Sequence, residues 1–477
     1  MARHLHGRAA RHLCNCLYRP SIATSSSSPN STSCIGTRYL SSQPSNSRIP
    51  NFAFAFDIDG VLLRSSTPIP GASQCLSYLR KHHIPFILLT NGGGKTEAER
   101  TRDLNNKLSL PPSHQIHVSQ LIQSHTPLSE LATTHGTPSY KDKTILVCGG
   151  DGGACRLVAE HYGFTNVVTP GDIIAAYADI WPFSSNFAAY YSTFARPLPR
   201  PINLQAADPE TESLKIDAVM VFNDPRDWGL DCQLLLDIML SHKGIVGTYS
   251  ARNGKKELPN HGYQSDGQPE IYFSNPDLLW ASAYPLSRLG QGGFREAFLG
   301  VWKAVTRNAT GEEVELKYNV MGKPHQPTYE YAEKLMVQSR KEAFGDDVQD
   351  RVPLEKVYMI GDNPESDIAG ANNYKSLVGA QWTSVLTRTG VFRAAEGETP
   401  TVEPKIVVDD VRVGVEWALR DAEWDDVDLA AVRLEEAEAK KVSISAERAA
   451  ALAQLSNDEL RGALSDAART KEHEQTG

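Results

Sequence analysis

Two aspartates, Asp57 and Asp59, stand two residues apart at the end of the apolar run Phe52-Ala53-Phe54-Ala55-Phe56. Side chains alternate along a strand, so both carboxylates project to the same side. Gly60 follows and lets the chain leave the strand in a conformation other residues resist. In open α/β sheets, ligands gather at the carboxyl ends of the strands, where this pair lies. Two neighbouring carboxylates repel unless something positive stands between them. A hard, oxygen-ligated cation such as Mg²⁺ meets that need. Asp-x-Asp-Gly is also ordinary turn chemistry, so the pair does not decide the matter alone.

Three later segments carry compatible chemistry. Leu88-Leu89-Thr90-Asn91 ends a second apolar run with a hydroxyl that can donate to a phosphoryl oxygen or cap a helix. Gly322-Lys323-Pro324 precedes a helical pattern through Tyr331, Leu335 and Met336. Proline suits a first helical turn, and Lys323 is thereby held at the positive end of a helix, where an anion binds. A lone lysine is otherwise most often just exposed. Gly361-Asp362-Asn363-Pro364-Glu365-Ser366-Asp367 sets two more carboxylates five residues apart. Asp362 can share a cation with Asp57. Asp367 can brace the loop, cap the next helix or bind the metal.

The elements that must position these residues follow from the apolar pattern. Residues 52–56 read as a buried strand, a helix opens at Pro70-Gly71-Ala72 and runs to about Lys81, and residues 86–89 form a second buried strand. That is a βαβ unit, which builds parallel sheet. The pattern returns with a strand at 357–360, a helix from about Ser366 and a strand near 384–386. Residues 141–287 have their own rhythm: a strand at 144–147 running into the Gly-rich turn 149–153, a strand at 217–222, a helix containing 234–240 and a strand at 271–273. Between them, residues 181–213 read as a long Pro-rich loop. The class is α/β: a parallel sheet domain over 51–140 and 288–420, with a second α/β domain inserted over 141–287.

Composition bounds the function. The chain of 477 residues carries a formal net charge of −9, but residues 1–50 hold six Arg and neither Lys, Asp nor Glu; −9 less those six positive charges leaves −15 for the rest. A body that acidic is a poor partner for nucleic acid. The first 50 residues, Arg- and Ser-rich and free of acids, read as a mitochondrial presequence. No apolar run approaches 18 residues, so no transmembrane segment is expected. The seven cysteines lack metal-ligand spacing and read as reduced thiols. Residues 421–477, with 14 acidic residues against seven Lys or Arg, read as an acidic helical or disordered tail.

The ordered set Asp57-x-Asp59-Gly60, Thr90-Asn91, Lys323 and Gly361-Asp362…Asp367 resembles the haloacid dehalogenase superfamily of phosphohydrolases. The long insertion between the second and third motifs, with Asn275-Pro276-Asp277 near its return, is similar to the large-cap subclass IIA, which implies a three-layer, Rossmann-like parallel sheet core with an inserted α/β cap domain over 141–287. Met321-Gly322-Lys323-Pro324, Tyr329-Glu330-Tyr331-Ala332-Glu333 and Gly361-Asp362-Asn363-Pro364 resemble the cat eye syndrome critical region protein family. The likeness covers about residues 50–420.

The resemblance implies roles. Asp57 is the nucleophile, forming an acyl phosphate that is readily hydrolysed. Asp59 is general acid, then general base. Mg²⁺ is held by Asp57, Asp59 through its backbone carbonyl, and Asp362, with Asp367 in support. Thr90, Asn91 and Lys323 bind the phosphorylated substrate, and the cap closes over it. The expected protein is a mitochondrial, matrix phosphomonoesterase for a small phosphorylated metabolite. Dehalogenation has no need for an acid at Asp59, a membrane pump needs spanning helices, and a phosphomutase would use the same residues. A catalytically idle binding scaffold and a link to glycerophospholipid metabolism are the other readings.

Overall fold

The computed structural model describes residues 48–133, 138–183, 185–280, 284, 286, 288–393 and 399–424. The expected presequence, up to residue 47, and the acidic tail beyond 424 lie outside the described residues.

The alternation of Phe and Ala in β1 (Phe52–Phe56) sorts its two faces. Phe52, Phe54 and Phe56 enter one apolar cluster, with Leu76 and Leu79 of helix α1 (Ala72–Lys81) and Val415 of a later helix. Ala53 and Ala55 face the opposite cluster, where Tyr329, Ala332 and Met336 pack close. Small residues on that face let the bulky rings approach. All five side chains are buried, each Phe contributing on the order of 2 kcal/mol from apolar burial.

Helices thus cover both faces of a six-stranded sheet. Its other strands are β2 (Phe86–Leu89), β3 (Leu121–Ile122), β9 (Lys356–Gly361), β10 (Gln381–Thr387) and β11 (Ile406–Val408), in the order β11-β10-β9-β1-β2-β3. Every pairing is parallel. One layer holds α1, α2 (Glu97–Leu108) and α7 (Val411–Asp421); the other holds α6 (Gln326–Phe344). Helix α2 begins with a full capping box: Thr96 accepts from the Glu99 N–H at 3.3 Å, and Glu99 accepts from the Thr96 N–H at 3.2 Å.

A second, five-stranded sheet lies between β3 and β9 in sequence. Its strands are β4 (Thr144–Cys148), β5 (Asn166–Val168), β6 (Ala218–Val221), β7 (Glu270–Phe273) and β8 (Asn319–Val320), ordered β8-β7-β6-β4-β5 and all parallel. Helices α3 (Ala154–Tyr162), α4 (Trp228–Leu240) and α5 (Gln291–Thr310) pack on it.

The second sheet reaches beyond the boundary expected at residue 287. Phe294, Phe298 and Trp302 of α5 share its apolar cluster with Leu234 and Phe273, and β8 pairs with β7. The second sheet's pairing therefore extends to Val320, immediately before the Lys323 segment. A two-residue strand is too short to leave a periodic signal. Two other expectations shift. Ser366 lies within a π-helical turn, Pro364–Ile368, before the short helix Ala369–Asn373. The 181–213 loop contains short helices at Ala188–Ser192 and Pro209–Glu212. No helix among the described residues is long and apolar enough to cross a membrane.

Candidate active site

Register fixes the centre of the site. Phe56 lies beside Leu88 on β2 and Ile360 on β9. Asp57, Thr90 and Asp362 therefore leave three adjacent strands at nearly the same level. The Asp57 N–H still donates to the Ile360 carbonyl at 2.9 Å, which carries the sheet to its last residue.

Lys323 arrives from the cap return and is only 2% exposed. Its ammonium pairs with Asp57 Oδ1 and, at 2.7 Å, with Asp367 Oδ1. The second Asp367 oxygen accepts the backbone N–H groups of Asp362 at 3.0 Å and Asn363 at 3.1 Å. Asp367 thus braces its loop and aims Lys323 in one conformation. The sequence left brace, cap and metal ligand open for this residue; its backbone hydrogen bonds fit a brace, and its carboxylate also stands in the buried cluster.

One oxygen from each of Asp57, Asp362 and Asp367 lies within 4.8 Å of the others, all three being buried. Burial, then the neighbouring carboxylates, raises the Asp57 carboxyl well above its ordinary range, against the opposing pull of Lys323. Burial and Asp367 raise Asp362 to about 7. Burial would lower Lys323, but Asp367 and Asp57 outweigh it and hold the ammonium well above its usual value. Three buried carboxylates share one buried ammonium, so the cluster lacks positive charge. Its donors are hard oxygens, the set that suits Mg²⁺.

The backbone is shaped to this cluster. At Gly60, with φ of 103°, a Cβ would stand 2.4 Å from Asp362 Oδ2. The Asp362 Oδ2 also accepts the Val391 N–H at 2.6 Å. The Gly390-Val391 turn after β10 was not singled out in the sequence; a glycine shortly beyond a strand end is a signal shared with many ordinary turns.

Asn91 and Asp59 stand apart from the carboxylate cluster. Asn91, expected to bind substrate, is engaged elsewhere. Its oxygen accepts the Lys323 N–H at 2.7 Å, and its amide donates to the Lys323 carbonyl at 2.9 Å and Asp277 Oδ1 at 3.0 Å. Asn91 therefore clamps the backbone that carries Lys323. Asp277, in the Asn-Pro-Asp element, joins this clamp; burial lifts its carboxyl to about 6, against the stabilising Asn91 hydrogen bond. The Asp59 side chain is 56% exposed and lies 3.5 Å from the Arg100 guanidinium on α2. Its carboxylate stands outside the buried cluster, and Asp367 occupies the third place there. Thr90 is buried, and its oxygen accepts the Gly92 N–H at 3.0 Å, which leaves the hydroxyl proton to be donated.

Comparison with known proteins bears on this arrangement. A family model described as haloacid dehalogenase-like hydrolase matches residues 54–165, and one described as HAD-hydrolase-like matches residues 320–413. A mitochondrial hydrolase of Saccharomyces cerevisiae is 37% identical over 391 residues, covering 79% of this chain and 96% of that protein. The chain belongs to the haloacid dehalogenase-like hydrolases.

A Schizosaccharomyces pombe protein of this hydrolase type, named a cardiolipin synthase (CMP-forming) / mitochondrial hydrolase fusion protein, is 36% identical over 384 residues, covering 80% of this chain. This chain spans 55% of that protein's length. An acid sugar phosphatase of Staphylococcus haemolyticus is 30% identical over 101 residues, 21% of this chain and 34% of its own. Among solved structures, NagD from E. coli aligns with 75% of this chain and 96% of its own, at 16% identity and a TM-score of 0.42. The segments matched by the two models contain Asp57 and Thr90, and Lys323, Asp362 and Asp367, respectively, and leave most of the cap between them.

Proposed function

We propose that this hydrolase is a Mg²⁺-dependent phosphomonoesterase working through an aspartyl phosphate on Asp57. The observation that carries the reading is the buried pairing of Asp57 with Lys323, beside Asp362 and Asp367, at the carboxyl end of the core sheet. One Asp57 oxygen is committed to Lys323, and the other attacks phosphorus. The bond from phosphorus to the leaving oxygen breaks as Asp59 donates a proton to that oxygen. Asp59, exposed enough to meet solvent, then takes a proton from water. That water attacks the phosphorus of the acyl phosphate, releasing phosphate and restoring the Asp57 carboxylate. Thr90 and Lys323 donate to the phosphoryl oxygens, and Asp367 keeps Lys323 aimed. Asp57, Asp362 and the backbone carbonyl of Asp59 would hold Mg²⁺, which supplies the missing positive charge and polarises the phosphoryl group.

The Arg-rich, acid-free leader and the mitochondrial naming of two relatives support a mitochondrial matrix location. A narrower reading places the substrate in glycerophospholipid metabolism. The name of the fusion relative supports it, as do the half-exposed Leu278, Leu279 and Trp280 that follow Asp277 directly. Phosphate release from aryl, sugar and glycerophospholipid phosphomonoesters, with Mg²⁺ or EDTA, tests both levels. Release that EDTA abolishes is expected. Release indifferent to EDTA, or none from folded protein on any class, contradicts the phosphatase reading.

A further inference from the structure

The carboxyl ends of the cap strands abut the core site. Asp277 bonds Asn91, and Ser274 Oγ lies 3.4 Å from Ser124 Oγ of the core. Beside that junction opens a cleft of about 570 Å³, within the ordinary range for a small-molecule site. The core wall starts at Gly93, three residues beyond Thr90, and continues through Lys95 to Arg102 on α2; Gly150, Asn223 and Arg226 form part of the cap wall.

The charges of this cleft are unevenly committed. Glu99 is taken up by the Thr96 cap. Asp151 accepts from Arg226 Nε at 2.8 Å, and the Asp224 carbonyl accepts from Arg226 Nη1 at 2.6 Å, so the guanidinium is fixed at the wall. Lys95 and Arg102 are exposed and form no ion pair within 4.0 Å among the described residues, meeting Glu99 only at longer range. Three cations therefore face two acids in a chain whose net charge is −9. Such a local excess attracts an anion against the overall field.

We propose that this cleft binds a second anionic group on the substrate, a phosphate, phosphodiester or carboxylate carried by the leaving group, through Lys95 and Arg102 of the core and Arg226 of the cap. The inference rests on the phosphomonoesterase reading, because the scissile phosphoryl group must sit between Thr90 and Lys323 for its far end to reach the cleft. Because the cations come from both domains, a doubly anionic substrate also joins cap to core as it binds. A singly charged ester gains only the phosphoryl contacts.

The test compares fructose 6-phosphate with fructose 1,6-bisphosphate by calorimetry on the full-length Asp57→Asn protein with Mg²⁺. The bisphosphate is expected to bind about tenfold tighter, the gain of one charge-assisted contact set. The ratio should fall towards one in Lys95→Gln/Arg102→Gln, and towards one in the unaltered pair of sites as salt rises. Both substituted side chains are exposed, so the fold is expected to survive, and an unchanged thermal midpoint checks it. A ratio near one at low salt overturns the proposal, as does a tenfold ratio that the double substitution leaves intact. Phosphate release by the unmutated protein from the aryl, sugar and glycerophospholipid esters reads the phosphatase account separately: its absence on every class alongside a selective bisphosphate site would sink that account and spare the anion site.

Discussion

At the scale of single residues, the site is an exercise in charge balance. Lys323 is the one ammonium of a cluster with three buried carboxylates. Removing it leaves Asp57 and Asp367 facing each other without compensation. Breaking a buried pair in this way costs about 3–5 kcal/mol. Lys323→Ala should therefore lose about that much stability in urea unfolding at neutral pH, besides losing turnover. A loss under about 1 kcal/mol would mean the carboxylates are already compensated by another route. Asp367→Asn keeps the shape but weakens the hold on Lys323, so a drop in kcat larger than any rise in KM is expected. Asp57, Thr90, Lys323 and Asp362 were legible because they recur at strand ends and a helix start. Asn91 was legible as important but not as a clamp. Its partners Asp277 and Lys323 lie 186 and 232 residues away, and no local pattern encodes so distant a pairing.

At the scale of elements, a buried joint ties the cap to the loop after Thr90. His125 Nε2 accepts the Gly94 N–H at 3.1 Å, so the neutral ring carries its proton on Nδ1, 2.7 Å from the Tyr162 hydroxyl of α3. Tyr162 donates in turn to Glu97, and His125 stacks on Phe222 of the cap. Burial lowers His125 to about 4. An unfolded histidine titrates near 6.5, so between pH 6.5 and 4 the unfolded chain binds a proton that the folded one refuses. Stability from this group is complete above pH 6.5 and is lost as pH falls towards 4, by about 3 kcal/mol. Thermal midpoints across that window should fall, and His125→Gln should flatten the part due to this ring. An equal slope in both proteins would show that other groups govern acid sensitivity. Tyr162→Phe leaves the buried His125 Nδ1–H without its acceptor, while Thr126 still donates to the Glu97 oxygen, and should cost about 1–3 kcal/mol. The longer strands β1, β2, β4, β6, β7, β9 and β10 and the start of α6 were readable from apolar pattern, the short strands β3, β5, β8 and β11 were not, and this joint was not: His125, Glu97 and Tyr162 give no motif until the fold brings them together.

At the scale of the whole molecule, the chain is a parallel core interrupted by a parallel cap, and the interruption is what builds the cleft. The return expected at residue 287 left α5 unassigned, and the Trp302 face of that helix packs against the second sheet. A divalent cation that binds only the assembled site must stabilise the fold by mass action, by about 2.7 kcal/mol at a hundredfold excess over Kd. Mg²⁺ should thus raise the thermal midpoint, and Asp362→Asn should remove most of that rise. An equal rise in the variant would move the cation elsewhere.

The central claim is that Asp57 itself carries the phosphoryl group during turnover. Rapid acid quench during steady-state hydrolysis, followed by peptide mass spectrometry, tests it most directly. The account predicts a phosphoryl adduct on the peptide containing Asp57, labile to hydroxylamine and absent from Asp57→Asn, which should also be inactive. Turnover that survives Asp57→Asn, or an adduct on any other residue, would contradict it.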